Sequence, residues 1–474
     1  MLSPSSASSP FGKGVLPPEW APSPWQQSTR EDPLVNHGRA DPVPQDADVV
    51  IIGSGLAGAV TAYHLLSSSS RPRTVVMLEA REACSGASGR NAGHCRPDAF
   101  RGYTNYAAFH GPEQASAILA SEKMALANAT MFVKHHAIEC EFTPRPTVDV
   151  CLSQDFVGYA SSALDSAKLA RVDVSSVAKL EGAAAKEVCR SPDCIAAFQW
   201  PAATLNPSKL CYAVHRACFS LGGYSLFTHT PVTSVVPGSV SKTWSVKTTR
   251  GAIQTAKVIY ATNAYTKLLL PEFEGLITPY KVQAVQLSAP PAGPEAFPRI
   301  APSMSLRYGL HQFYSVAQRP DDSVVLCCAV ARPGQTMQQF VGAWDVMDDA
   351  KPDDARTRDA VDEFNAAIPG GGYDQPASLE PGKGGFDSAW SGIIGFTPDA
   401  VPFIGPIPEK EGQYMIAGFN GHGMARIFHC APCLADVVLG GMELWDETVP
   451  RAFVVTKERV EKLRQGVEER DKLA

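Results

Sequence analysis

"DVVIIGSGLAGAVTAYHLL", residues 48–66, is the stretch from which the fold is read. Residues 49–52 are Val-Val-Ile-Ile, apolar and β-branched throughout, the pattern of a strand buried on both faces of a parallel sheet. Gly53, Gly55 and Gly58 then satisfy G-x-G-x-x-G. The first glycine makes a tight turn, the second lets the backbone approach a pyrophosphate, and the third permits close packing of helix on strand. A helix continuing through Val60, Tyr63 and Leu66 aims its first free amides at that anion. Strand, turn and helix in this order predict a dinucleotide cradle made by Gly53, Ser54, Gly55, Leu56, Ala57 and Gly58.

Working outward, "SSSSRP" breaks the helix and "TVVMLEA" supplies a second strand ending at Glu79. Glu79 stands 21 positions after Gly58 (79 − 58), where an acid accepts hydrogen bonds from adenosine ribose hydroxyls. A glycine-rich turn alone also arises for steric reasons; the complete βαβ order separates the two readings. The next segment, "AREACSGASGRNAGHCRPD" at 80–98, is rich in Gly, Ser and Ala and has no apolar periodicity. Small residues and exposed amides suit the path of a bulky tricyclic ring with polar edges, which favours FAD over NAD, with a plain surface loop as the alternative.

The 474 residues are enough for two or three domains at roughly 100–200 residues each. With 45% hydrophobic and 19% charged residues the chain can bury a sizeable core, and a net charge of −6 gives no basic footprint for nucleic acid. Twelve cysteines occur, of which Cys430 and Cys433 form a lone CxxC; without a second such pair the expectation is no metal site, packed thiols and a reducing compartment. Residues 1–45 are rich in Pro and Ser and lack a signal-peptide core, so they are expected to form an irregular arm, with Trp20 and Trp25 anchoring it on the body. No run of 18 apolar residues suggests a membrane span, and the terminal Lys472-Leu473-Ala474 lacks the serine of a peroxisomal signal. The expected location is the cytoplasm.

Further along, "WSVKTTRGAIQTAKVIYATNA" reads as a hairpin whose second strand returns to the nucleotide unit. "HQFYSVAQRPDDSVVLCCAV", 311–330, reads as another, with Pro320, Asp321 and Asp322 at its turn. Residues 344–364 read as a solvated helix entry, not an acidic binding surface. "QYMIAGF", 413–419, is a strand candidate followed by a small-residue turn and the start of a helix. Amides at such a start stabilise developing negative charge, so Gly421, His422, Gly423 and Met424 form a second candidate flavin cluster. His422 is expected to orient the ring, with a catalytic base as its alternative role.

On these motifs, with "LEAREACSGASGRNAGH", "VIYATNAYT" and "TPDAVPFIGPIP" followed by "AGFNGHGMA", the chain from about Asp48 to Leu439 resembles the D-amino-acid oxidase and sarcosine oxidase superfamily of FAD-dependent oxidoreductases. The resemblance implies an α/β fold: a Rossmann-like FAD-binding domain of glutathione-reductase type and a second, α+β substrate domain with an antiparallel sheet. It divides the chain into the arm, an FAD-binding domain of 46–105, 205–270 and 387–445, a substrate domain of 106–204 and 271–386, and a charged tail at 446–474. Residue by residue it places Glu79, Ala80 and Arg81 at the ribose, Ala87 and Ser88 at the pyrophosphate, and Arg90, Asn91, Ala92, Gly93 and His94 along the flavin. It sets Val232 over the adenine, adds Ala261 and Thr262, and puts His94 beside the substrate; Tyr314 is a candidate to face the substrate, with a place in the core as its alternative, the commoner one for an aromatic in a strand.

The same resemblance implies oxidation of a CH–NH bond of a small-molecule amine by hydride transfer to FAD, with dioxygen or another acceptor reoxidising the cofactor. Positions where relatives carry carboxylate-holding arginines read Ile394 and Gly421, and a sarcosine-oxidase lysine position reads Ala425. The flavin-linking cysteine position reads Gly392, so FAD is expected to be non-covalent, a link through His94 being the alternative. The pattern most resembles the γ-glutamylputrescine oxidase-like branch, whose substrate is an amine without a nearby carboxylate. Arg96 and Arg101 follow the flavin loop; Arg96 is a candidate holder of an acid group and Arg101 is read as solvated. A biosynthetic oxidase or dehydrogenase of a secondary metabolite, and a non-catalytic redox-sensing flavoprotein, stay open at this point.

Overall fold

A computed structural model describes residues 11, 15–17, 20–288, 299–310, 312–328, 343–369, 379–382 and 385–473. His311 and residues 329–330 of the second expected hairpin, and the first ten residues of the arm, lie outside these. Strands run in order β1 (Asp46–Ile52), β2 (Val75–Leu78), β3 (His94–Cys95), β4 (Thr143–Cys151), β5 (Ala178–Glu181), β6 (Ala196–Thr204), β7 (Tyr224–Phe227), β8 (Val232–Pro237) and β9 (Trp244–Thr248). They continue as β10 (Gly251–Tyr260), β11 (Thr278–Leu287), β12 (Ser303–Arg307), β13 (Phe313–Gln318), β14 (Val324–Cys328), β15 (Phe386–Phe396), β16 (Phe403–Pro406) and β17 (Gln413–Ala417). Helices are α1 (Pro24–Ser28), α2 (Leu56–Ser67), α3 (Ala87–Arg90), α4 (Tyr103–His135), α5 (Gln154–Leu169), α6 (Gly182–Cys189), α7 (Pro207–Leu221), α8 (Asp354–Ala367), α9 (Ile427–Gly440) and α10 (Lys457–Leu473).

The first sheet has the order β16-β17-β10-β1-β2-β7, with the antiparallel β8 and β9 joined to β10. From β17 to β7 its strands are parallel, β1 lying between β10 and β2. The run of β-branched residues in β1 serves two cores. Val49 and Ile51 pack with residues of α2, α7 and α9 on one face, and Val50 and Ile52 pack with Phe273 and Phe403 on the other. That double burial is why the strand reads as uninterrupted apolar sequence rather than as alternation.

The second sheet runs β15-β11-β14-β13-β12-β4-β6-β3, with β5 on β6, and is antiparallel except where β12 meets β4. One of its faces is sealed by α8, whose Val361 and Phe364 pack against Val285, Leu326 and Val316. The other face carries Ala284, Val325 and Trp390, and Trp25 of the arm packs there together with Ala92. The architecture is thus the expected mixed α/β fold of a Rossmann-like sheet with an antiparallel partner. Two segments read as nucleotide-domain sequence, His94–Cys95 and residues 387–396 of β15, hydrogen-bond into this second sheet, so the loop after Glu79 itself bridges the two. Among the described residues no helix is long and apolar enough to cross a membrane.

Candidate active site

The glycine turn is built as the sequence requires. Gly53 has φ +109°, and a Cβ there would lie 2.6 Å from the Ala261 carbonyl oxygen, so the end of β10 abuts the turn and brings Ala261 and Thr262 with it. A Cβ at Gly58 would lie 2.2 Å from the Gly53 oxygen, which is the close helix-on-strand approach. Gly55 caps α2 without a side-chain hydrogen bond, and the nearest atom to a Cβ built on it is Ser88 Oγ at 3.0 Å. That hydroxyl accepts from Leu56 N at 2.8 Å, tying the loop at 87–88 to the helix start. Glu79 Oε2 accepts from Ser54 N at 3.0 Å and from Ser54 Oγ at 2.7 Å, and its Oε1 accepts from Arg81 N at 3.0 Å. Thr230 N donates to the Glu79 carbonyl at 2.8 Å, which sets the start of β8, with buried Val232, beside the same corner.

The loop after Glu79 is held by its two arginines. Arg81 forks onto Asp349 at 2.9 and 3.0 Å, and Arg90 donates to the carbonyls of Ser391, Asp349 and Ala21. Arg90 therefore ties the loop to β15 of the second sheet and to the arm, and Arg81 ties it to the segment before α8 and to the arm. Trp25, only 2% exposed, donates from Nε1 to the Asn91 carbonyl at 2.7 Å, and Arg81 stacks over Trp20 at 4.7 Å. The arm is anchored through both tryptophans, and its residues 24–28 form the capped α1.

The two candidate flavin clusters meet. Cys95 Sγ donates to the Met424 carbonyl at 3.3 Å, joining β3 to the 421–424 turn. Gly421 has φ +79°, and a Cβ there would lie 3.6 Å from Ile394 Cδ1, so the two positions read as missing arginines face each other. Both ring nitrogens of His94 are buried without a hydrogen-bond partner among the described residues. Burial, helped by Arg96 and Arg145, pushes His94 down to about 3 and keeps the ring neutral. An uncharged imidazole beside small residues suits contact with a polar-edged ring, and a group held so low is a poor proton acceptor at neutral pH. His422 is placed differently: its Nδ1 lies 3.2 Å from Oε2 of the fully buried Glu122 on α4.

Two expectations are corrected, those for Arg101 and Tyr314. Arg101 is buried, not solvated, and donates to Asp149 Oδ2 at 2.8 Å. Arg96 donates to Asp149 Oδ1 at 2.6 Å and Arg307 to the same oxygen at 3.0 Å, so Arg96 is engaged by a buried carboxylate. Tyr314 does not line this site. It packs in the core under α8, on the face opposite Ala284 and Val325, because strand parity puts it with Val316 and not with Ala317. Sequence reading missed Asp149, Glu122, Arg426 and Asp349, each of which has a charged or titratable partner 48 or more positions away. A charged residue inside a helix or strand was the signal that Glu122 and Asp149 left, while Asp349 and Arg426 lie outside such elements.

Paired sheets, a glycine-rich pyrophosphate turn and a second small-residue turn define a flavin-dependent oxidoreductase of the two-sheet type. Residues 48–437 match the FAD dependent oxidoreductase (DAO) family, and the chain belongs to it; it is an enzyme whose cofactor is FAD. A comparison with curated proteins gives no match. Among solved structures, an L-amino acid deaminase from Proteus vulgaris is 17% identical with a TM-score of 0.66, covering 89% of this chain and 99% of that one. An L-proline dehydrogenase from P. horikoshii is 20% identical (TM-score 0.65; 88% and 99% covered), and a glycine oxidase from Geobacillus kaustophilus is 19% identical (TM-score 0.63; 87% and 99%). At these identities the likeness is one of fold.

Proposed function

We propose that the chain oxidises the CH–NH bond of a small amine, giving an imine that water hydrolyses, with dioxygen as electron acceptor and hydrogen peroxide as its product. Bound FAD supplies the hydride acceptor. The residues of the 53–58 turn with Ala87 and Ser88 would hold its pyrophosphate, Glu79 its ribose, and Ala92, Gly93, His94 and the 421–424 turn its ring. The observation that carries this reading is the unpartnered His94 ring beside the Cys95–Met424 link, a polar group that burial makes costly until a ligand satisfies it. Gly392, whose added Cβ would lie 3.4 Å from Arg90 Cβ, supports a non-covalent cofactor, since it offers no thiol.

An amine without a nearby carboxylate is the proposed substrate class, in line with the resemblance to γ-glutamylputrescine oxidase-like proteins. Its support is local: Ile394 faces Gly421, Ala425 is 2% exposed, and Arg96 is engaged by Asp149. A carboxylate desolvated there without a paired cation costs several kcal/mol. The names of the three structural neighbours concern amino acids, which supports chemistry at a carbon bearing nitrogen and makes the carboxylate the point to test. Anaerobic stopped-flow reduction should be at least ~100-fold less efficient with D-alanine or sarcosine than with an alkyl amine of similar size. Equal rates would overturn the substrate class. A cytoplasmic location belongs to the same proposal and rests on the sequence reading.

A further inference from the structure

Glu122 is fully buried in the middle of α4, and everything that reaches its carboxylate is a donor. Arg426 Nε donates to Oε1 at 2.8 Å, Asp98 N donates to Oε2 at 2.6 Å, and His422 Nδ1 stands 3.2 Å from Oε2. Burial alone would raise this acid, but His422 and Arg426 outweigh it and hold Glu122 at about 2. An ionised carboxylate only accepts, so Nδ1 carries the hydrogen of this contact and Nε2 is the nitrogen left to take up a proton. Arg426, also fully buried, donates onward to the Tyr106 hydroxyl at 2.9 Å, so it holds Glu122 and Tyr106 together. The His422 side chain keeps 26% exposure, and it belongs to the turn that Cys95 ties to the flavin loop.

From this we infer that Glu122 is the positioning residue of a Glu122–His422 dyad whose Nε2 takes the proton of the incoming substrate ammonium. The inference rests on the amine reading given above. The N–H bond of the ammonium breaks, its electron pair stays on the substrate nitrogen, and an Nε2–H bond forms; the buried carboxylate meets the new imidazolium charge. The gain is large because an alkyl ammonium with a pKa near 10.4 is neutral in only about one molecule in 2,500 at pH 7. The other groups around the dyad stay out of the neutral range. Burial drives the Cys95 thiol up to about 12 and raises Tyr106 and Cys430 further, while Arg426 stays charged and Asp98 faces the carboxylate through its backbone N–H.

The test has two arms on the FAD-loaded full chain. Long-range proton–nitrogen NMR with labelled histidine should show Nε2 as the unprotonated nitrogen of neutral His422. In stopped flow with the best amine, His422→Gln should lose ~100-fold or more at pH 7 and regain rate tenfold per pH unit as the amine itself deprotonates. Glu122→Gln, or Glu122→Asp if that variant folds poorly, should weaken the preference for an unprotonated Nε2 in the same NMR measurement and slow reduction by the amine at pH 7. If no amine reduces the flavin, the substrate reading falls and the proton-acceptor role falls with it. If amines do reduce it, an unprotonated Nδ1, or a His422→Gln loss equal at every pH, overturns the dyad alone.

Discussion

Asp149 gathers three guanidiniums, from Arg96, Arg101 and Arg307, whereas Glu122 gathers one guanidinium, one imidazole and one backbone amide. Both carboxylates are fully buried, so neither is tolerated without partners. The partners of Asp149 carry permanent charge and come from the segment after β3 and from β12, which leaves it a fixed joint between the flavin loop and the second sheet. Glu122 includes a titratable, partly exposed ring among its partners, so it can respond to a proton at the site. A buried acid is thus a fastener or a relay according to whether one of its partners can change charge.

Removing the fastener should have the largest effect. Asp149→Asn leaves three guanidiniums around a neutral amide, and breaking a buried pair in this way costs about 3–5 kcal/mol. The expected result is little soluble protein or a thermal midpoint many degrees lower, read by calorimetry. A variant that melts with the wild type would show that the arginines find other partners, and the contrast with Glu122 would be lost.

Acid sharpens the same contrast. Glu122 is held at about 2 against an ordinary value near 4.5, so its folded-state pKa is depressed. Its contribution is complete above about 4.5, falls as pH drops toward 2, and amounts to about 3 kcal/mol in full. Asp149 lies below the carboxylate range because its arginines outweigh its burial, Arg101 most and then Arg307 and Arg96, so its loss extends to still lower pH. Stability should therefore show no slope from Glu122 between pH 5 and 8 and should decline between pH 4.5 and 2. A Glu122→Gln protein should have a shallower acid limb when unfolding is followed by denaturant titration at each pH.

Glu79 is a third carboxylate, half-buried, and its donors are Ser54 N, Ser54 Oγ and Arg81 N. None of its donors is a charged side-chain group, so replacing it strands no buried cation. Glu79→Ala should leave the fold intact and weaken FAD by ~1.5–3 kcal/mol, roughly ten- to a hundredfold, measured by fluorescence titration of flavin-stripped protein. Unchanged affinity would mean that the ribose is held elsewhere.

These three acids also mark where sequence reading ends. Glu79 was legible because its partners lie in a local βαβ unit with a known register, and the 53–58 turn was legible because only glycine satisfies its closest approaches. Glu122 and Asp149 were not, since their meaning lies in side chains that arrive from 300 and 158 positions away. The Gly421–Met424 turn was readable as a turn, but the carboxylate beneath it was not. Arg101 misled for the same reason: an arginine in a loop is usually solvated, and only the second sheet reveals the acid that buries it.

Tyr314 gives the smallest expected effect and the cleanest separation of the two faces of the second sheet. Alternation along β13 settles its side, because Tyr314 and Val316 share the α8 core while Ala317 pairs with Val325 on the face that meets Trp25 and Ala92. A residue under α8 can alter stability through packing and lies on the face opposite Trp25 and Ala92. Tyr314→Phe keeps the ring and its burial and removes only the hydroxyl, so the thermal midpoint should fall by an amount matching about 1 kcal/mol. Flavin reduction by the best amine should stay within about twofold of wild type, well under the 1.4 kcal/mol that a tenfold change requires. A tenfold loss in the reductive step with an unchanged midpoint would move Tyr314 to the substrate side and reverse the assignment of the sheet's faces.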